Sequence, residues 1–63
     1  MQKPKAGEIY ESIAGNYFII TGYNEDMVRY KFRNRADWSI YEQDWDWKKY
    51  PCRKLTSLEI ELL

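Results

Sequence analysis

The residues best equipped for chemistry are one thiol, a short run of carboxylates, a basic row and an aromatic cluster. Cys52 lies between Pro51 and Arg53, and a neighbouring guanidinium can lower a thiol pKa enough to make it nucleophilic. The sequence contains no histidine, so no Ser-His or Cys-His nucleophile system can be assembled. Cys52 is therefore read as a buried or half-buried structural thiol. Glu42, Asp44 and Asp46 offer oxygens for acid–base work or for a hard cation, but their stretch lacks the central glycine and distal Glu of an EF-hand loop. Gly7, Gly15 and Gly22 fall one per turn and make no phosphate-cradling loop. One cysteine without histidine cannot supply a structural zinc site. The reading is a non-enzymatic domain with no cofactor and no metal.

Two clusters remain that suit binding. Arg29, Lys31 and Arg33 alternate with Val28, Tyr30 and Phe32, so the three cations share one strand face, and Arg35 extends them into the next turn. Such a row can track phosphates in the manner of small nucleic-acid-binding barrels. It also has the form of an ordinary solvated face paired with acids across the sheet, for which Glu25, Asp26, Asp37 and Glu42 are candidates. The second cluster is Trp45, Trp47 and Tyr50, set among Asp44, Asp46, Lys48 and Lys49. Either a bulge returns both tryptophans to the core, or they form an exposed anchor of the kind common in protein interfaces.

Glu42, Asp44 and Asp46 would repel phosphates, and ten basic against ten acidic residues give no net charge, unlike most proteins that grip phosphate backbones. The leading expectation is thus a protein partner bound through Trp45, Trp47, Tyr50, Asp44 and Asp46. The alternative is nucleic acid bound through Arg29, Lys31, Arg33 and Arg35, with Tyr41 or a tryptophan as a stacking surface. An acidic strip that imitates nucleic acid, and self-association through open sheet edges, are further possibilities.

The elements that must position these clusters are short. The chain has 63 residues, enough for one domain, and a domain this small buries only about 60% of the surface its unfolded chain exposes. Without a disulfide or a metal, three Trp, six Tyr and two Phe must supply the core, each burying roughly 150–250 Å². Residues 1–6 are expected to fray and 7–63 to form the domain. Strands are expected over Glu8–Ile13, with Ile9 and Ile13 inward and Tyr10 outward, then over Tyr17–Thr21, Met27–Phe32 and Trp38–Glu42.

Facing Trp38 to Phe32 and Ile40 to Tyr30 requires a three-residue loop, Asn34-Arg35-Ala36. Trp45 and Trp47 are then out of phase with Trp38 and Ile40, which demands a bulge near Gln43-Asp44 or an excursion over Asp44–Tyr50. Cys52–Leu55 can form a short strand. Thr56 and Glu59 have capping-box spacing, while Leu58, Ile60 and Leu62 alternate as in a strand. The preferred reading is a helical turn at Thr56-Ser57 leading into a last strand paired with the first. The expected inner layer is Ile9, Ile13, Phe18, Ile20, Val28, Tyr30, Phe32, Trp38, Ile40, Leu58 and Ile60. Short strands, tight turns and no long helix describe a small all-β barrel of about five antiparallel strands.

The opening Lys3-Pro4-Lys5-Ala6-Gly7-Glu8-Ile9-Tyr10 resembles small SH3-like barrel proteins common in bacteriophage and prophage genomes. So do the Gly-Asn turn into Tyr17-Phe18-Ile19-Ile20, the basic-aromatic third strand and the closing Leu55-Thr56-Ser57-Leu58-Glu59-Ile60. Most members are of unknown function. The resemblance implies an SH3-like fold and a phage or prophage accessory setting, and carries over no catalytic or binding residue. Asp44–Tyr50 departs from the short hairpin expected there. Met1 to Tyr10 shows no secretory leader, and no apolar run approaches the roughly 20 residues that span a bilayer. With one free thiol, the chain reads as cytoplasmic.

Overall fold

Apolar and charged residues alternate most cleanly between Tyr17 and Asn34. There the computed structural model, which describes residues 2–34 and 36–63, has its two longest strands. β1 (Ile9–Glu11), β2 (Tyr17–Asn24) and β3 (Met27–Asn34) pair antiparallel in succession, placing Tyr10 beside Phe18 and Phe18 beside Phe32. Thr21 is an extra residue between the pairs Ile20–Tyr30 and Gly22–Arg29, a bulge that increases local twist. β2 therefore runs on through Gly22 to Asn24, where a turn was expected. Only Glu25 and Asp26 turn the chain, with Glu25 in the left-handed region at φ 56°.

β4 (Asp37–Trp38) and β5 (Gln43–Trp45) pair successive stretches of β3, and β6 (Arg53–Lys54) pairs β1. The order is β4-β3-β2-β1-β6, with β5 also on β3. The result is a small, antiparallel, barrel-like all-β fold with one short helix, α1 (Ser57–Glu61). Among the described residues six short strands form where about five were expected; of the expected Trp38–Glu42 strand only Trp38 is paired as strand, and β5 begins just beyond its end.

Register decides which rings enter the core. Arg33 pairs with Trp38 and Asn34 with Asp37, so the expected Phe32–Trp38 and Tyr30–Ile40 pairs and the three-residue loop do not form. Trp38 lies on the outer face, where the Arg33 guanidinium sits 5.3 Å from its ring centre, and Ile40 is 80% exposed. Ser39 stands opposite Phe32 instead, its N–H donating to the Phe32 carbonyl while its Oγ accepts from the Phe32 N–H. Four residues, 39–42, then stand against two of β3, because Tyr30 pairs with Gln43. Two extra residues leave side-chain parity unchanged. Trp45 consequently meets Val28 on the core face. Trp38 and Trp45 are out of phase because they occupy opposite faces, not because a bulge falls at Gln43-Asp44.

The core cluster is Tyr10, Phe18, Ile20, Val28, Trp45 and Trp47, with Tyr30, Phe32 and Cys52 packed against it. Tyr10 thus points inward, opposite to expectation. β1 ends at Glu11, and Ile13 is left 95% exposed in the following turn. Ile9 is buried as expected, but on the opposite face from Tyr10, and Leu55, whose N–H donates to the Ile9 carbonyl, is buried too. The residues before Gly7, expected to fray, are held from Pro4 onward. Pro4 is fully buried and its carbonyl accepts from the Tyr23 hydroxyl at 2.8 Å. The Lys5 N–H donates to Glu8 at 2.7 Å and the Gly7 N–H to the Ile20 carbonyl. Met1 lies outside the described residues.

The capping box at Thr56 and Glu59 forms with both its hydrogen bonds, and it starts α1 in place of the expected last strand. Leu58 and Ile60 follow helical rather than strand geometry and remain exposed or nearly so. β1 takes β6 as its outer partner instead. Glu59 also accepts from Arg53, which bridges to Glu11 on β1. The Arg53 guanidinium beside Glu59, with the Thr56 N–H, pulls the Glu59 carboxyl down to about 2. A depressed carboxylate stabilises the fold above its unfolded value and loses that contribution as pH falls through its folded value.

Stability is therefore expected to fall as pH drops from about 4.5 toward 2, and Glu59→Gln should flatten part of that limb in an acid titration followed by circular dichroism. The two buried tryptophans provide a second test. Trp45 Nε1 donates to the Tyr50 carbonyl at 2.7 Å, whereas Trp47 Nε1 is buried with no hydrogen-bond partner among the described residues. Trp45→Phe should cost about 2–3 kcal/mol and Trp47→Phe about 1 kcal/mol or less in urea unfolding, because only the first forfeits a hydrogen bond. Equal losses would contradict this assignment.

Candidate functional site

β5 and the segment that follows it build one wall of a groove, and the tip of the β1–β2 turn builds the other. Ser12 shapes that turn: its carbonyl accepts from the Gly15 N–H, and its Oγ from the Asn16 N–H. Gly15 takes a φ of 85°, a left-handed backbone conformation that glycine adopts without a Cβ penalty. The opposite wall is set by Trp45, whose indole N–H holds the Tyr50 carbonyl, and by the Tyr50 N–H, which donates to the Asp46 carbonyl at 3.0 Å. Between the walls lies an apolar groove of about 440 Å³ floored by Phe18, Tyr30, Phe32 and Trp45. Its floor is a set of ring contacts. Phe18 lies 4.9 Å from Tyr30 and 5.2 Å from Trp45, and Tyr30 lies 5.0 Å from Phe32.

The sequence-derived aromatic cluster divides here. Trp45 and Trp47 are core residues, 7% and 9% exposed, so neither is the exposed anchor expected of it. Trp45 contributes the groove floor, while Trp47 packs within the core under the Lys48 ammonium, 5.5 Å from its ring. Tyr50 is exposed at the groove rim, as are Ile13 on the other side and Asp44. Asp46 lines the groove half-buried. Asp44 and Asp46 are its charged lining residues. Asp44 also accepts from the Asn24 amide at 3.0 Å.

The basic row is arranged differently from a free phosphate strip. Arg29 bridges to Glu42 at 3.3 Å and to Asp44 at 3.5 Å. Glu42 is thus one of the cross-sheet acids that the sequence offered. Arg33 covers the Trp38 ring, and Lys31 pairs across the strands with Ile19 on the face away from the groove. Arg35 lies outside the described residues. Among the described residues no group of three or more potential ligands is placed to hold a metal ion.

The groove floor was not legible as a site, because Phe18, Tyr30 and Phe32 read as ordinary core. Ile13 was the available signal: a large aliphatic residue immediately before an Ala-Gly-Asn turn is poorly placed for burial. Comparison with protein-family models, with curated proteins and with solved structures finds no match. Among the described residues no helix is long and apolar enough to cross a membrane.

Cys52 is half-buried against the core, and burial pushes its thiol above the ordinary range. Its Sγ lies 3.6 Å from the Tyr50 carbonyl. The Arg53 beside it in sequence is turned to Glu11 and Glu59, so it does not activate the thiol. Labelling by a disulfide reagent at mildly alkaline pH should run slower than for a free cysteine and accelerate on unfolding. A folded-state rate equal to the free rate would show an accessible, activated thiol instead.

Proposed function

We propose that this domain is a non-enzymatic binding module that receives a segment of another protein in the apolar groove. The observation that carries the reading is a ring-floored concavity with large apolar residues, Ile13 and Tyr50, standing exposed on its two rims. Concave apolar surfaces with a few placed polar groups are where ligands gather, and exposed aromatics beside them act as interface anchors. Asp44 and Asp46 line the same groove. They disfavour a polyanion and suit a partner segment bearing a lysine or arginine next to its apolar residues. The contact set is then Ile13, Tyr50, Asp44 and Asp46 over a floor that includes Trp45, with Trp47 supporting it from the core.

Nucleic acid is the weaker reading, since Arg29 is already shared between Glu42 and Asp44. The layout of the sequence supports a phage or prophage accessory role in a host cell.

The test is capture from nuclease-treated bacterial lysate by the wild-type domain and by an Ile13→Asp, Tyr50→Ala variant. Both side chains are exposed, so the variant should melt close to wild type. A protein retained by the wild type should bind the variant at least about tenfold more weakly, while Lys31→Glu leaves capture unchanged. Equal retention by the groove variant, or loss in Lys31→Glu alone, would move the binding surface to the other face of the sheet.

A further inference from the structure

The groove does not end at Cys52. That residue lines it on one side and, on the other, borders a second concavity of about 470 Å³ whose lining includes Lys3, Lys5, Glu8, Tyr10 and Lys54. Tyr10 and Phe18, stacked with their centroids 6.0 Å apart, join the two floors. The two concavities thus adjoin at Cys52, with linings of opposite charge. Asp44 and Asp46 line the first, Asp44 with one oxygen on Arg29 and the other on the Asn24 amide, and three lysines with one glutamate line the second.

The glutamate does not cancel the basic end. Glu8 accepts from the Lys5 N–H at 2.7 Å and from the Tyr10 hydroxyl at 3.1 Å, and bridges to the Lys54 ammonium at 2.7 Å. Both its oxygens are engaged, and it offsets one lysine of the three. Lys3 rests over the Tyr23 ring, 4.6 Å from its centre, which leaves its charge in place. Among the described residues the Lys5 ammonium has no ion-pair partner. Positive charge is therefore exposed beside the groove as well as on the Arg29–Arg33 strand face.

Resting on the groove reading above, we infer that the bound protein segment is bipolar. Its apolar residues fill the ring-floored groove and a basic residue faces Asp46, with Asp44, already bridged to Arg29, beside it. An acidic side chain on the far side of Cys52 is held by Lys5, with Lys3 and Lys54 around it. A nucleic acid would meet carboxylates at the groove end, and a uniformly basic peptide would meet lysines at the other. Opposite charge at the two ends also fixes the direction in which the segment lies, since the reversed orientation sets like charges against each other.

The test is selection of a displayed library of random linear peptides against the wild-type domain and against Lys5→Glu. Lys5 serves the fold through its backbone, whose N–H donates to the Glu8 carboxylate and whose carbonyl accepts from the Glu8 N–H, and Lys5→Gln provides a second variant should the glutamate destabilise it. Peptides enriched on the wild type should carry an acidic residue on one side of an apolar group and a basic residue on the other. Selection on Lys5→Glu should keep the apolar and basic residues and lose the acidic one. A wild-type-selected peptide should bind Lys5→Glu about fivefold more weakly at low salt, the scale of exposed ion pairs. Enrichment of apolar and basic residues without the acid, or an acid preference unchanged by the Lys5 variants, would overturn this inference and leave the groove reading standing. No enrichment, or enriched peptides indifferent to Tyr50→Ala, would overturn both.

Discussion

The Trp45 indole is the contact on which the rest of the molecule depends. Its ring lies 5.2 Å from Phe18 and 5.4 Å from Tyr10, joining β5 to β2 and β1, and its N–H ties the Tyr50 carbonyl back against the sheet. A chain of 63 residues with a single cysteine has neither disulfide nor zinc to offset the entropy of ordering. Large rings supply much of its burial beside Ile20 and Val28, and edge-to-face contacts contribute about 0.5–1.5 kcal/mol each beyond area. Held in this way, segment 46–52 becomes a wall instead of a free loop, and the groove exists because the wall is fixed.

Charge is organised around that framework. A total of zero conceals a separation into an acidic patch at Asp44 and Asp46, a basic patch at Lys3, Lys5 and Lys54, and a network in which Arg53 links Glu11 on β1 to Glu59 on α1. The first two line neighbouring concavities, while the third fastens the helix. All involve exposed or half-exposed groups, so their energies are small and salt-sensitive. Their value is in arrangement more than in strength.

Much of the fold was legible in the sequence. The strands around Phe18, Ile20 and Val28 followed from alternation, and the capping box followed from Thr56 and Glu59. What failed was phase. Trp38 and Ile40 looked like core because they are large and apolar, yet a two-residue connection between β3 and β4 turns Trp38 outward onto Arg33. Side-chain type proposed one register and turn length chose another. Tyr10 was placed outward because Ile9 and Ile13 matched a longer strand, while β1 stops at Glu11. The groove was harder to read, since Phe18, Tyr30 and Phe32 bear the same residue types whether they are covered or form its floor. Only three-dimensional closure by segment 50–52 separates the two cases.

In a domain this thin, the layer of rings that forms the floor of the groove also forms the roof of the core. Phe18 and Trp45 belong to both. Replacement of either to suit a new partner disturbs folding at the same moment, so those positions are frozen for reasons unrelated to recognition. Freedom to diverge is confined to the exposed rim at Ile13, Asp44 and Tyr50 and to the lysines beyond Cys52. Substitution is thus tolerated at the margins of the groove and resisted at its floor.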